Sequence, residues 1–217
     1  MKVYPINLNV ENEKCVVVGG GKVAYRKICD LLKAGAVVEV IAPKICAEIS
    51  ELVDAGKIAL IREKYSSEKI TDAMILIAAA DSEEVNRIVA ADARAKKILV
   101  NVVAGDEGNF TVPSKILRGN FLFTISTGGT SPAFSKFVRE MLETEFDSNF
   151  GDALKIIAEF RDEVKKILPD DKARTKFWRE TLTPEIWQLL KAGKIDELKK
   201  NLQATIYKLQ AKLEDKT

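Results

Sequence analysis

Histidine is absent from the 217 residues. That excludes His-dependent catalytic triads, His-ligated zinc and imidazole proton shuttling, so acid or base chemistry falls to carboxylates, lysine, tyrosine or the substrate itself. Cysteine is scarce: Cys15, Cys29 and Cys46 lie far apart with no Cys-x-x-Cys pair. A disulfide framework is ruled out, and Cys15 and Cys29 are expected as small core residues of a strand and a helix. Neither sign of charge dominates, with 34 basic against 32 acidic side chains and a net charge of +2. No polyanion-binding surface is indicated, and no nucleic-acid partner is expected. Long apolar runs are missing as well. Nothing approaches the ~20 residues needed to cross a bilayer, and Met1-Lys2-Val3-Tyr4-Pro5 lacks the apolar stretch of a secretion signal. The chain is expected to be cytoplasmic, with no membrane partner.

Against these absences, an apolar fraction of 47% can build a real core. The most informative stretch is Val16-Val17-Val18-Gly19-Gly20-Gly21-Lys22-Val23-Ala24, a buried strand turning into a helix through Gly-x-Gly-x-x-Ala. Gly19 permits the tight turn, Gly21 lets the backbone approach a pyrophosphate, and Ala24 is small enough for the helix to pack closely on the strand. Free N–H groups at the helix start then face the phosphates. The same spacing also occurs in glycine turns that hold no ligand, but the flanks favour a dinucleotide grip. Cys15 to Val18 is a short apolar run, and Val23, Ile28, Leu31 and Leu32 recur at helical spacing before Gly35 ends the helix.

The alternation continues: a strand over Val37 to Ala42, a helix over Ala47 to Ala55, strands over Ile58 to Ile61 and Met74 to Ala79, a helix over Glu83 to Ala95 capped by Asp81 or Ser82, and a strand over Ile98 to Val103. Such β-α-β order predicts a parallel sheet with helices on both faces and a ligand at the carboxyl ends of the strands. The usual acidic residue for the ribose hydroxyls, at the tip of the second strand, is replaced by Ile41-Ala42-Pro43-Lys44, and Glu39 lies inside the strand. The residues alone leave NAD and NADP both open, because Lys44 can in principle meet a 2′-phosphate.

Beyond Pro113 the rhythm changes. Phe121 to Ser126 reads as a strand, Ala133 to Phe146 as an amphipathic helix begun by Pro132, and everything after Phe150 as helical: Asp152 to Leu168, short helices carrying Trp178 and Trp187, and Ile195 to Leu213. The loop Thr127-Gly128-Gly129-Thr130-Ser131-Pro132 feeds a helix N-terminus and forms a second candidate anion site. From Thr111 to Arg139 the chain carries Lys115, Arg118, Lys136 and Arg139 and no acidic residue, which suits a substrate rich in carboxylates. A capped helix with ordinary solvated lysines is the alternative.

Tyr4-Pro5-Ile6-Asn7-Leu8, the Val16 to Lys27 stretch, Asn101-Val102-Val103, Gly108-Asn109-Phe110-Thr111-Val112-Pro113-Ser114 and Ser126-Thr127-Gly128-Gly129-Thr130-Ser131-Pro132 follow in one order. Together they resemble the precorrin-2 dehydrogenase family, the dehydrogenase/ferrochelatase module of siroheme synthase, over the first two thirds of the chain. The resemblance implies NAD-dependent oxidation of precorrin-2 to sirohydrochlorin, insertion of ferrous iron in bifunctional members, and a homodimer joined through the segment after Pro113. The methyltransferase domain fused to some members is expected to be missing. The implied fold is α/β: a Rossmann-like parallel-sheet domain at 1–113, a small α+β dimerisation and substrate segment at 114–147, and an all-helical C-terminal domain at 148–217. Gly19, Gly21, Lys22, Val23, Ala24, Pro43 and Lys44 are expected at the cofactor, and Gly128, Gly129, Thr130 and Ser131 at the tetrapyrrole. No resident metal site is expected.

Family members commonly carry an aspartate just after Asn-Val-Val, where this chain has Ala104-Gly105-Asp106 in a slightly shorter loop. Asp106 is the expected catalytic carboxylate, displaced along the loop, with Glu107 behind it. The departure bears more on chelation, which needs a base placed for pyrrole protons, than on hydride transfer between two oriented partners. The rival reading is a non-catalytic NAD-sensing module that regulates a partner, which accounts for the glycines but not for the basic segment or the Thr-Gly-Gly-Thr-Ser-Pro loop.

Overall fold

A computed structural model describes residues 3–105 and 107–214, apart from the Leu213 side chain. Residue contacts divide it into two compact units, one ending at Val112 and the other beginning at Pro113.

The first unit alternates as its apolar runs require: β1 (Lys14–Val18), α1 (Lys22–Lys33), β2 (Val37–Ile41), α2 (Ala47–Asp54), β3 (Ala59–Ile61), a short 3-10 turn at Ser67–Ile70, β4 (Ile75–Ala78), α3 (Glu83–Ala95) and β5 (Leu99–Val102). The five strands form one sheet in the order β3-β2-β1-β4-β5, with every described pairing parallel. Strands covered on both faces carry apolar residues at nearly every position, and Val16, Val17 and Val18 in β1 are all buried. Their alternation divides the core in two. Cys15 and Val17 pack with Ile28 of α1, Val38, Val40 and Ile49 of α2, whereas Val16 and Val18 pack with Leu76, Val89 of α3 and Val100. Glu39, the one charged residue inside β2, makes an ion pair with Lys14 at 3.1 Å.

The strand order reverses between β1 and β4. In open α/β sheets that reversal opens a crevice outside the carboxyl ends of the two strands, so topology alone brings Gly19–Gly21 opposite Ala79–Asp81.

The second unit opens with an antiparallel hairpin, β6 (Ser114–Arg118) and β7 (Phe121–Ile125). Five helices follow, α4 (Pro132–Glu145), α5 (Ser148–Ile167), α6 (Asp171–Thr181), α7 (Pro184–Lys191) and α8 (Ile195–Glu214). Four of the starts have a local cause: Ser131, Asp147 and Asp170 cap α4, α5 and α6 by accepting backbone N–H bonds, and Pro184 opens α7. Ala153, Phe160, Val164, Phe177, Leu198 and Leu202 anchor the helical core. Phe121, Phe146, Phe150 and Trp187 form a ring-on-ring seam with centroids 5.0 to 5.7 Å apart along the chain of contacts. β6 has no counterpart among the sequence expectations, because Ser114-Lys115-Ile116-Leu117-Arg118 buries only Ile116 and lacks the apolar alternation that marks a strand.

Cys15 is fully buried, while Cys29 and Cys46 are half-buried. Burial first, and the Glu13 carboxylate second, push the Cys15 thiol up to about 11. Because the folded chain holds this proton more tightly than the unfolded one, the associated stability is intact below about pH 9 and is lost as pH rises towards about 11. Peptide mapping after thiol labelling at pH 8 should find Cys29 and Cys46 modified under native conditions and Cys15 modified only in denaturant.

Candidate functional site

Three glycines in a row terminate β1, and each does something different. Gly19 has φ +136°, and a side chain there would run into the Ala79 carbonyl. Its N–H donates to the Ile41 carbonyl at 3.0 Å, and the Ala79 N–H donates to the Val18 carbonyl at 2.8 Å. Gly20 abuts the Lys44 carbonyl, where a Cβ would not fit, and accepts a 2.8 Å bond from the Cys46 N–H. Sequence reasoning assigned no role to Gly20; the signal available was the unbroken run of three glycines. At Gly21 the situation inverts: the nearest atom to an added Cβ is Asp81 Oδ1 at 3.9 Å. Two glycines are therefore consumed by the protein's own packing and the third faces open space, the opening a pyrophosphate needs to approach the backbone.

Behind Gly21 stands the start of α1. Gly21 is its N-cap without a side-chain cap bond, and the first turn contains no acidic residue. Tyr25 is the first N–H to return to the Gly21 carbonyl, at 3.0 Å, so the N–H groups of Lys22, Val23 and Ala24 precede the regular ladder and can serve an anion. Ala24 is wholly buried against the sheet, as its size requires. Pro43 and Lys44 are exposed in the loop that Gly20 fastens, so Gly19, Gly21, Lys22, Val23, Ala24, Pro43 and Lys44 come together at one end of one unit. Glu48 in the first turn of α2 is held below the ordinary carboxylate range by its own backbone N–H first, then by the Cys46 thiol and the Lys22 ammonium. This donor set fits a dinucleotide: backbone N–H groups, an open glycine, and no carboxylate in the first turn of α1.

The loop after β5 is anchored at its far end by two asparagines. Asn109 takes the Val100 N–H at 2.8 Å and donates to the Ile98 carbonyl at 3.3 Å, while Asn101 donates to the Phe110 carbonyl at 3.1 Å. Asn109 thereby occupies the open edge of β5 as a further strand would. Glu107 is half-buried in this loop; Asp106 lies outside the described residues.

Gly128, Gly129, Thr130 and Ser131 belong to the second unit. Gly128 and Gly129 have φ +62° and +85° with nothing within 4 Å of an added Cβ, so the turn projects two side-chain-free residues outward. Thr127 Oγ1 accepts from the Ser131 N–H at 3.2 Å and from the buried Ser135 hydroxyl at 3.2 Å, and Ser131 Oγ accepts from the Phe134 N–H at 3.2 Å. The loop is braced by hydroxyls, and the first turn of α4 holds no acid. The basic stretch is less available than its composition suggests. Arg118 donates to the Phe146 and Leu117 carbonyls, Arg139 pairs with Glu140 and Glu143, and Lys136 pairs with Glu140. The acids that pair with Lys136 and Arg139 follow within one helical turn of the segment's end.

Among the described residues no group of three His, Cys, Asp or Glu side chains is gathered to hold a metal, and no helix is long and apolar enough to cross a membrane. A hollow of about 470 Å3 in the helical unit is lined by Phe150, Leu154, Leu182, Ile186 and Trp187 among others; it is apolar and contains no candidate acid or base.

Comparison with known proteins covers both units. Residues 6–114 match the family described as "Putative NAD(P)-binding", and residues 149–206 match the "Sirohaem synthase dimerisation region". The siroheme synthase of Chromobacterium violaceum is 37% identical over 183 residues, which are 84% of this chain and 39% of that protein. The siroheme synthase of Psychrobacter cryohalolentis is 36% identical over 207 residues, 95% of this chain and 40% of that one. The chain thus spans about two fifths of the length of these relatives. A solved structure titled "SirC, precorrin-2 dehydrogenase" superimposes with a TM-score of 0.76 over 96% of this chain and all of that one, at 24% identity, and shares the fold.

The glycines separate two effects. Replacing Gly21 by alanine should leave the melting temperature nearly unchanged and weaken NAD binding at least about tenfold, since the Cβ fills only the space of the ligand. Replacing Gly20 by alanine should lower both, because the loop to Cys46 has to move. Calorimetric titration and thermal melts on the two variants check this.

Proposed function

We propose, from the premise that this chain belongs to the siroheme synthase family through its NAD(P)-binding and dimerisation regions, that it oxidises precorrin-2 to sirohydrochlorin with NAD as hydride acceptor. The observation that carries the reading is the open face of Gly21 before an α1 N-terminus free of acidic residues. The substrate class comes from the relatives, whose names are siroheme synthase and precorrin-2 dehydrogenase, and from the outward Gly128-Gly129 turn, where no side chain keeps a ring edged with carboxylates from the backbone.

The reaction removes two electrons and two protons' worth of hydrogen from the macrocycle: a hydride goes to the nicotinamide and a proton to a base. NAD supplies the acceptor. The protein's part is orientation and proton transfer. Gly21, Lys22, Val23 and Ala24 bind the pyrophosphate through backbone, Gly19 makes the turn that presents them, Pro43 and Lys44 border the adenosine half, and Gly128, Gly129, Thr130 and Ser131 meet the tetrapyrrole. Asp106 takes the proton, with Glu107 as the next carboxylate along the loop. In the same reading ferrous iron is a second substrate, inserted into sirohydrochlorin and held by the macrocycle's own nitrogens.

The working form is a homodimer. Phe134, Phe137 and Met141 recur on one exposed face of α4 at 56 to 57% exposure, and Leu117 and Leu122, directly opposite each other in the hairpin, are also exposed. An apolar surface of this kind on a chain with 34 basic and 32 acidic side chains marks a protein contact. Sedimentation should give a dimer for the unaltered chain and a monomer for Phe137→Glu.

An anaerobic assay with precorrin-2 and NAD, metal omitted, tests the central reading. It should yield NADH and sirohydrochlorin in equal amounts; NAD binding with neither product sinks the proposal and leaves the NAD-sensing module as the better account. Asp106→Asn should lower kcat about 100-fold with NAD affinity unchanged, the usual magnitude for a lost general base.

A further inference from the structure

Asn86 is buried to 3% exposure on α3, and the reaction as described makes no use of it. Its carboxamide grips one residue from both sides: the Ala80 N–H donates to Asn86 Oδ1 at 2.9 Å, and Asn86 Nδ2 donates to the Ala80 carbonyl at 2.9 Å. A buried amide satisfied in this way fixes the orientation of an entire peptide segment, and losing it leaves two backbone groups unpaired.

Ala80 stands in a particular place. It follows Ala79, whose carbonyl lies against Gly19, and precedes Asp81, whose Oδ1 is the atom nearest an added Cβ at Gly21. The segment from Ala79 to Asp81 is thus the β4 wall of the crevice at the sheet's switch point, and the glycine loop is its β1 wall. In this architecture the adenosine half of a dinucleotide lies toward β2 and the other mononucleotide toward β4. On the β2 side the chain has Ala42, Pro43 and Lys44 and no acid for a ribose. On the β4 side it has Asp81, an exposed carboxylate.

We propose that Asn86 is a positioning residue for the cofactor: by clamping Ala80 it holds the β4 wall so that the Asp81 carboxylate accepts a hydroxyl hydrogen bond from the second ribose of the dinucleotide, the one nearer the nicotinamide. This rests on the dinucleotide reading of the Gly21 cradle. It makes the chain's ribose recognition asymmetric, with its carboxylate at the reacting half and backbone contacts alone at the adenosine half. Ser82 Oγ is engaged elsewhere, accepting from the Val85 N–H at 3.4 Å.

Two probes separate this role from a structural one. AMP carries only the adenosine half, whereas ADP-ribose adds the second ribose. In titrations of the full chain, Asn86→Ala and Asp81→Ala should each weaken ADP-ribose about tenfold and change AMP less than about twofold, the scale of one lost hydrogen bond to a charged group. Asp81 is exposed, so its variant keeps the test open if Asn86→Ala fails to fold. Equal losses for both probes, or no loss for either, in Asp81→Ala overturns the proposal while leaving the dinucleotide reading standing. If the unaltered chain binds neither AMP, ADP-ribose nor NAD, the dinucleotide reading falls and takes this inference with it.

Discussion

At Gly19 and Gly20 other segments of backbone come so close that a Cβ would not fit, and the candidate cofactor site depends on them. Two strands and two loops converge there with no room for a single Cβ: Ala79 presses on Gly19 and Lys44 on Gly20. The convergence is sealed by bonds from Gly19 to Ile41 and from Cys46 to Gly20. Bringing four segments of main chain so near would strand polar groups unless each found a partner, and here the partners are one another. What remains unpaired is the start of α1, which points outward from this knot. The anion-binding property of the site is therefore a remainder, the set of N–H groups that the clasp does not consume.

Rigidity elsewhere in the molecule is achieved by similar economy. Asparagine side chains stand in for backbone at two of the ligand-side turns: Asn86 holds the turn after β4, and Asn109 with Asn101 holds the segment after β5. An amide carries both a donor and an acceptor on a short arm, so one residue can brace a turn that has no ladder of its own. The second unit uses hydroxyls for the same purpose, with Thr127, Ser131 and Ser135 bracing a loop whose two glycines have left-handed backbone. Loops that must present bare backbone to a ligand cannot be stiffened by their own side chains, and the stiffening comes from neighbours.

Charge shows how far composition can mislead. A segment without an acid looks like a cationic surface, but Glu140 and Glu143 follow within a helical turn and take up Lys136 and Arg139, and Arg118 spends its guanidinium on carbonyls. Recognition of a polyacidic ring, in the reading proposed, then rests on the side-chain-free backbone of the Gly128-Gly129 turn more than on net charge.

Much of the first unit was legible in the residues. The apolar runs, the glycine triplet and the Ser82 cap determined β1, β2, β4, β5 and α1 to α3 to within a residue or two, because strands buried on both faces and capped helices announce themselves locally. That Gly19 to Ala24 turn from the carboxyl end of β1 into α1 was legible for the same reason. β6 was not, since a hairpin strand with one buried residue has no periodicity to read, and its existence depends on α4 and α5 covering Ile116 and Phe123. Nor was the role of Gly20, or of Asn86, since each is defined by a partner tens of residues away or by the turn of chain before it. Sequence by itself determined which segments are strands, which are helices and where bare backbone would be offered. Only the tertiary structure decided which glycine is filled by protein and which is left open, because that depends on how closely other segments approach, a distance that no local pattern encodes.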